Sequence, residues 1–340
     1  MATQVDTSYR LLAAKHLRKQ AKQLAGQLDG VRRAEDIEYI HRARVASRRL
    51  RAGMRMFADC FDAELLKKWR KQIRRVTTGL GDARDKDVQI EFLCGVLDGL
   101  REKACYPGIA RLMVKLERRR ERLQTKVVAA VDRLQAAGVL CEMPQLMKRI
   151  LAEAKMQGVV VRSDCSLART GQHILDRLEA MLPYQESLAD AEAQQQHHAM
   201  RIATKQFRYT LEISKPVYGA SLDDSIAAVR KLQTFLGTVH DCDVWAGNLD
   251  AFAAEEEKRI RKHFGHAGPF ARLNVGIEHL RQDRRRRRGE VFRELVTYWE
   301  ELKRNRQWEE MAHIVRHGEA ESVEPEAETA ASDGLITPLE

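Results

Sequence analysis

Two stretches of the chain hold cations in one repeated register. In HRARVASRRLR, residues 41–51, and on to residue 55, His41, Arg44, Arg48, Arg51 and Arg55 step by three and four residues. At about 100° per residue on an α-helix, these five side chains share an arc of roughly 80°. Ala43, Ala46, Leu50, Met54 and Phe57 fall on the opposite side, as a core-facing stripe should. HAMRIATKQFR, residues 198–208, repeats the pattern: His198, Arg201, Lys205 and Arg208 take the cationic positions, and Met200, Ala203, Phe207 and Leu211 the apolar ones. A solvated face has no reason to keep one register twice. Like charges four residues apart, such as Arg44 with Arg48 or Arg201 with Lys205, also repel by a few tenths of a kcal/mol unless an anion lies between them.

The chemistry this suggests is the binding of an extended anion. A row from His41 to Arg51 spans about 15 Å of helix, enough to meet several successive negative groups. Arginine offers a planar fork to phosphate oxygens, and lysine a mobile point charge. A histidine among arginines is discouraged from taking a proton, and a bound polyanion reverses that.

The elements that must position these rows also come in pairs. TGLGDARDKDV (78–88) follows the first stripe and FLGTVHDCDV (235–244) the second, so that Gly81 matches Gly237, Arg84 matches His240, Asp85 matches Asp241 and Asp87 matches Asp243. Upstream, Arg74 and Arg75 match Arg230 and Lys231; downstream, RLMVKLE (111–117) resembles RLNVGIE (272–278), which sets Arg120 opposite Arg281. The pattern implies an internal duplication offset by 157 residues between His41 and His198.

Strong helix formers dominate and only seven prolines occur, so the expected fold is all-α, two four-helix bundles related by a pseudo-twofold axis. The helices expected are 8–28, 33–59, 62–80 and 85–136, broken near Pro107, then 166–181, 187–214, 222–237 and 241–306, broken near Pro269. Residues 8–136 form the first bundle, 137–165 a connector and 166–310 the second bundle. The glycine of each LG-x-x-[R/H]-D-x-D-V segment reads as a helix end and the aspartates as caps of the next helix. A divalent cation held by the DxD pair, or a salt bridge to a neighbouring arginine, are the other readings of those carboxylates.

The 340-residue chain carries a formal charge of +10. Residues 318–340 contain seven acidic groups and no Lys or Arg, and are expected to form a disordered tail; without them the charge rises from +10 to +17. No apolar run suits a membrane span and no signal peptide is evident, so no membrane insertion is expected. Six cysteines without a CxxC pair read as reduced thiols in a cytoplasmic protein.

The paired motifs H-x-x-R-[VI]-A-[ST]-[RK]-x-[LF]-R and LG-x-x-[RH]-D-x-DV resemble those of the CHAD family, the conserved histidine α-helical domain, over about residues 8–310. The resemblance implies a groove lined by basic residues of both halves, which binds inorganic polyphosphate and performs no catalysis. It carries over to His41, Arg44, Arg48 and Arg51, and to His198, Arg201, Lys205 and Arg208. The repeat adds Arg55, Arg74, Arg75, Arg84, Arg120, Arg230, Lys231, His240 and Arg281, with Arg84 standing where the family has histidine. No cofactor and no metal site is expected, since the stripe histidines have no ligand partner at i+4. Association with polyphosphate granules in the cytoplasm follows from the same resemblance.

Nucleic acid is the alternative ligand, or a weaker competitor, because a basic helical surface is its usual footprint. Only Phe207 and Tyr209 stand near the stripes as stacking platforms. The arginine run at 284–288 covers every side of a helix and so defines no single site. AHIVRHGEAE (312–321) resembles the opening of histidine phosphatases, but that fold needs a second Arg, a second His and an acid later in the chain, and none of the 23 residues after His317 is Arg or His. Residues around His313 and His317 are expected to fray.

Overall fold

The computed structural model describes residues 6–317, and every regular element among them is a helix. The first half runs α1 (Thr7–Ala25), α2 (Leu28–Arg33), α3 (Ile37–Met56), α4 (Ala63–Gly99), α5 (Tyr106–Ala136) and α6 (Val139–Met156). The second runs α7 (Asp164–Glu179), α8 (Gln194–Tyr218), α9 (Asp223–Phe264), α10 (Phe270–Arg304) and α11 (Gln307–His317). Side-chain caps start several of them. Asp6, Asp36, Asp62 and Ser163 each accept a hydrogen bond from a backbone N–H of the first turn of the helix that follows.

The order of packing is the same in both halves. In the first, α1 lies against α3 and α6, α3 against α4, and α4 against α5; in the second, α7 lies against α8 and α11, α8 against α9, and α9 against α10. Leu17, Leu50, Trp69, Val76, Leu80, Val127 and Met147 fill the first core, and Phe207, Leu211, Leu232, Leu236, Leu295, Trp299 and Met311 the second. The halves meet through α1 with α7, α3 with α8, and α5 with α10. The last contact has its own apolar cluster, in which Leu93, Ile109 and Leu112 pack with Trp245, Phe252 and Leu280.

Three expectations are corrected. Gly81 and Gly237 end no helix: α4 and α9 run unbroken through them for 37 and 42 residues. One helical glycine costs only about 1 kcal/mol, less than the burial of Leu80 and Ala83, or of Leu236 and Val239, on either side of it returns. The chain breaks instead after Gly99 and at Gly265, which takes the left-handed conformation (φ +78°) beyond the last residue of α9. Pro107 and Pro269 then stand at the starts of α5 and α10. Second, the connector is itself a helix of the first core: α6 buries Val139, Met143, Met147 and Ile150 against α1. Third, residues 307–317 do not fray, because Trp308, Met311 and Val315 anchor α11. The acidic tail at 318–340 lies outside the described residues.

With no helix start nearby, the DxD aspartates cap nothing. Asp87 accepts a 2.6 Å bond from Nε of Arg120 on α5, and Asp243 pairs with Arg288 on α10. The structural counterpart of Arg120 is therefore Arg288, not Arg281. Burial raises the Asp87 pKa more than Arg120 lowers it, so this pair fixes α4 against α5 without a large net gain. Arg120→Ala strands a buried carboxylate and should lower stability to urea by about 3 kcal/mol or more. Asp85→Ala, at a carboxylate 57 % exposed, should cost less than about 1 kcal/mol. Equal costs in urea unfolding followed by circular dichroism would contradict this assignment.

Candidate functional site

The two stripes meet where α3 touches α8. Ala43, Ala46, Leu50, Met54 and Phe57 are buried, so the opposite face of α3 carries His41, Arg44, Arg48, Arg51 and Arg55 outward, as its periodicity requires. Arg48 lies at the junction. Its guanidinium is held below its usual pKa first by burial, then by the charges of Arg44, Arg201 and Arg208, with Tyr209 opposing them. Among the described residues, none of Arg48, Arg51, Arg55, Arg201 and Lys205 has a carboxylate at ion-pairing distance. His41 is partly exposed at the start of the row and makes no hydrogen bond.

The DxD segments line the same junction. Asp85 lies 3.2 Å from Arg44. Desolvation raises the Asp241 pKa, Arg201 lowers it, and Asp85 raises it further, so α4 and α9 approach each other here. His198 and His240 touch through their Nδ1 atoms at 3.1 Å, one ring donating and the other accepting. Burial, Arg201 and His198 together hold His240 down from 6.5 to about 4, against a small opposing effect of Asp243.

The two ends of the site differ. At the first, burial and Arg74 depress Arg51, while burial, Arg177, Arg51 and Arg70 depress Arg55. Arg70, Lys71, Arg74, Arg75 and Arg133 line a recess of about 750 Å³ between α4 and α5 that adjoins this end. At the second, Glu212 gathers Arg49 and Arg230 at 3.1 Å each, and Arg208 at 3.7 Å. A cavity of about 530 Å³ opens beside them, with Lys15, Lys19 and Lys215 on its wall. At the repeat offset of 157 residues, Glu212 stands where Arg55 stands in the first copy.

Sequence reasoning missed Arg49, Arg70, Arg177 and Glu212. Arg70 had a signal, one helical turn before Arg74. Glu212 had one too, one turn beyond Arg208 on the stripe. Other residues expected at the site are committed elsewhere. Arg120 holds Asp87, and Arg281 holds Asp250 at 2.8 Å and Glu278. The Lys231 ammonium sits 4.1 Å from the ring centre of Tyr298, on the α10 side of α9. Arg84 is half-buried with its Nη1 unpartnered, and its charge acts on Asp87. In the run at 284–288, Arg284, Arg286, Arg287 and Arg288 are each ion-paired to nearby carboxylates.

A family model for the CHAD domain matches residues 15–250. The chain belongs to the CHAD domain family. The crystal structure of the CHAD domain from the plant Ricinus communis superposes with a TM-score of 0.59 at 22 % identity, covering 87 % of this chain and 95 % of the plant one. PptA from Streptomyces chartreusis superposes with a TM-score of 0.52 at 16 % identity, covering 85 % and 98 %. These likenesses establish a shared fold. No curated protein matches the sequence.

Within this CHAD domain, Glu212 acts as a resident anion that occupies three arginines. Glu212→Gln keeps its shape and removes its charge, so if these arginines take an external anion, its affinity should rise severalfold in isothermal titration with tripolyphosphate as the probe. A fall would mean that the carboxylate is needed to hold those arginines in place.

Proposed function

We propose that this CHAD domain binds inorganic polyphosphate along the groove where the α3 and α8 stripes meet, and that it does so without catalysing a reaction. The observation that carries the reading is Arg48, set among Arg44, Arg201 and Arg208 with no carboxylate to neutralise it. Cations brought together from both halves repel in the free protein, and a polyanion laid between them turns that cost into binding. The carboxylates beside the groove each face an arginine: Asp85 faces Arg44, Asp241 faces Arg201, and Glu212 faces three. Asp85 and Asp241 each face a single guanidinium and orient it, whereas Glu212 competes with the ligand for its three. Among the described residues no helix is long and apolar enough to cross a membrane, which suits a setting at polyphosphate granules in the cytoplasm.

Polyphosphate is favoured over single-stranded nucleic acid because the groove offers no stacking surface. Phe207 is fully buried, and Tyr209 is buried with Arg208 over its ring. In titrations at matched phosphate and salt, long-chain polyphosphate should bind more tightly than duplex DNA, and affinity should fall steeply with salt as counterions are released. Tighter binding of DNA would support the nucleic-acid reading instead.

The stripe should outweigh the arginine run at equal charge. Arg48, Arg201 and Lys205 changed together to Ala should weaken polyphosphate binding by more than about tenfold, since each charge-assisted contact contributes about 1.5–3 kcal/mol. Arg285, Arg286 and Arg287 changed together to Ala should weaken it by less than about threefold, through long-range attraction alone. Arg288 is spared because it holds the half-buried Asp243. Equal losses in two folded variants would make general basicity the explanation.

His240 gives the binding a pH dependence with a definite sign. It is neutral in the free protein down to about pH 4, and a bound polyanion raises its pKa again. Binding therefore takes up a proton, and affinity should strengthen as pH falls from about 7 to about 5. His240→Gln should flatten that rise; an unchanged profile would remove His240 from the site.

A further inference from the structure

The contact between α5 and α10 brings together side chains that play no part in the groove. Its backbones touch because glycine stands on each side. A Cβ on Gly276 of α10 would lie 2.1 Å from the carbonyl oxygen of Cys105, and one on Gly108 of α5 would lie 2.0 Å from that of Leu273. Neither position admits a side chain, so the crossing is closely fixed. His279 lies three residues beyond Gly276, on the same face of α10. Cys105 lies three residues before Gly108, and Glu102 three before that, in the segment joining α4 to α5. The glycine contact therefore sets a thiol from the first half against an imidazole from the second, with a carboxylate beside them. Sγ of Cys105, a ring nitrogen of His279 and a carboxylate oxygen of Glu102 all lie within 4.8 Å of one another. Among the described residues no other three such groups converge.

We propose that Glu102, Cys105 and His279 form a binding site for a divalent cation of the zinc class, which joins the two halves of the CHAD domain. One thiolate, one imidazole and one carboxylate leave a fourth tetrahedral position for water, and this borderline-soft donor set selects zinc over magnesium or calcium. Ligand bonds of about 2.0–2.3 Å place the donor atoms about 3.5 Å apart, so donors that already lie within 4.8 Å of one another need only a small closure. Glu102 is exposed and makes no ion pair, and its side chain can turn to supply that closure. Cys105 is 1 % exposed among Ile109, Leu112, Ile277 and Leu280, an apolar shell that keeps water from the metal–sulfur bond. On binding, the thiol releases its proton to solvent, and the two anionic ligands then balance the charge of the cation. A neutral complex suits that apolar setting.

The test is a cobalt titration of the full-length, metal-free protein, with Co²⁺ as a spectroscopic stand-in for Zn²⁺. One equivalent should produce a thiolate-to-cobalt charge-transfer band in the near ultraviolet. Zn²⁺ should displace it and should raise the melting temperature. Cys105→Ser should abolish the band, and His279→Gln and Glu102→Gln should each weaken binding by about tenfold or more. Cys94→Ser, at an exposed thiol on α4, should keep the band. Absence of the band in the wild type, its persistence in Cys105→Ser, or unchanged affinity in His279→Gln would each overturn the proposal. Should Cys105→Ser fail circular-dichroism tests of folding, Glu102→Gln, at an exposed position, carries the comparison.

Discussion

Holding Arg44, Arg48, Arg201 and Arg208 near one another costs free energy that the free protein must offset elsewhere. Each like-charged pair along one helix costs a few tenths of a kcal/mol, and partial burial of Arg48 raises the cost across the α3–α8 contact. The faces behind the stripes supply the compensation. Leu50, Met54, Phe207 and Leu211 are fully buried, and each such side chain returns about 1.5–3 kcal/mol. The same faces hold the cations in place, so the groove needs no carboxylate to organise it at Arg48. Long, capped helices with continuous apolar stripes are the means by which repulsion is tolerated and kept available for a ligand.

The stripe was legible in the sequence because helical periodicity depends on no partner. The spacing of His41, Arg44, Arg48 and Arg51 names a face whatever the helix packs against. Gly81 with Asp85 and Asp87 misled for the same reason, since glycine and aspartate are local signals of a helix end. Burial on both sides of Gly81 overrides those signals, and burial is a tertiary fact. The partner of Asp87 lies on the next helix, which no local pattern reveals. The alignment of RLMVKLE with RLNVGIE placed Arg281 opposite Arg120, whereas Asp243 selects Arg288. The two differ by seven residues, or two helical turns, so the face was right and the level wrong. In α6, Met143, Met147 and Ile150 do fall at helical spacing, but the segment has no counterpart in the repeat and so read as a connector.

The candidate metal ligands show the opposite limit. Cys105 and His279 have no shared motif and stand in different halves of the chain. Their proximity follows from two glycines, Gly108 and Gly276, whose role is visible only once the helices cross. A stripe is a property of one helix; a ligand set assembled across a crossing is a property of the fold.

The exchange of Arg55 for Glu212 has a consequence for how a long ligand would move. Two similar rows of cations alone would give a strand of identical units nearly the same energy at every position along the groove. With a carboxylate at one end and an arginine at the other, that potential tilts. A bound strand would gain by sliding one unit toward Arg51 and Arg55 and lose by sliding toward Glu212. A chain whose own two ends are chemically alike would thereby acquire a preferred direction of travel, imposed by the surface it lies on.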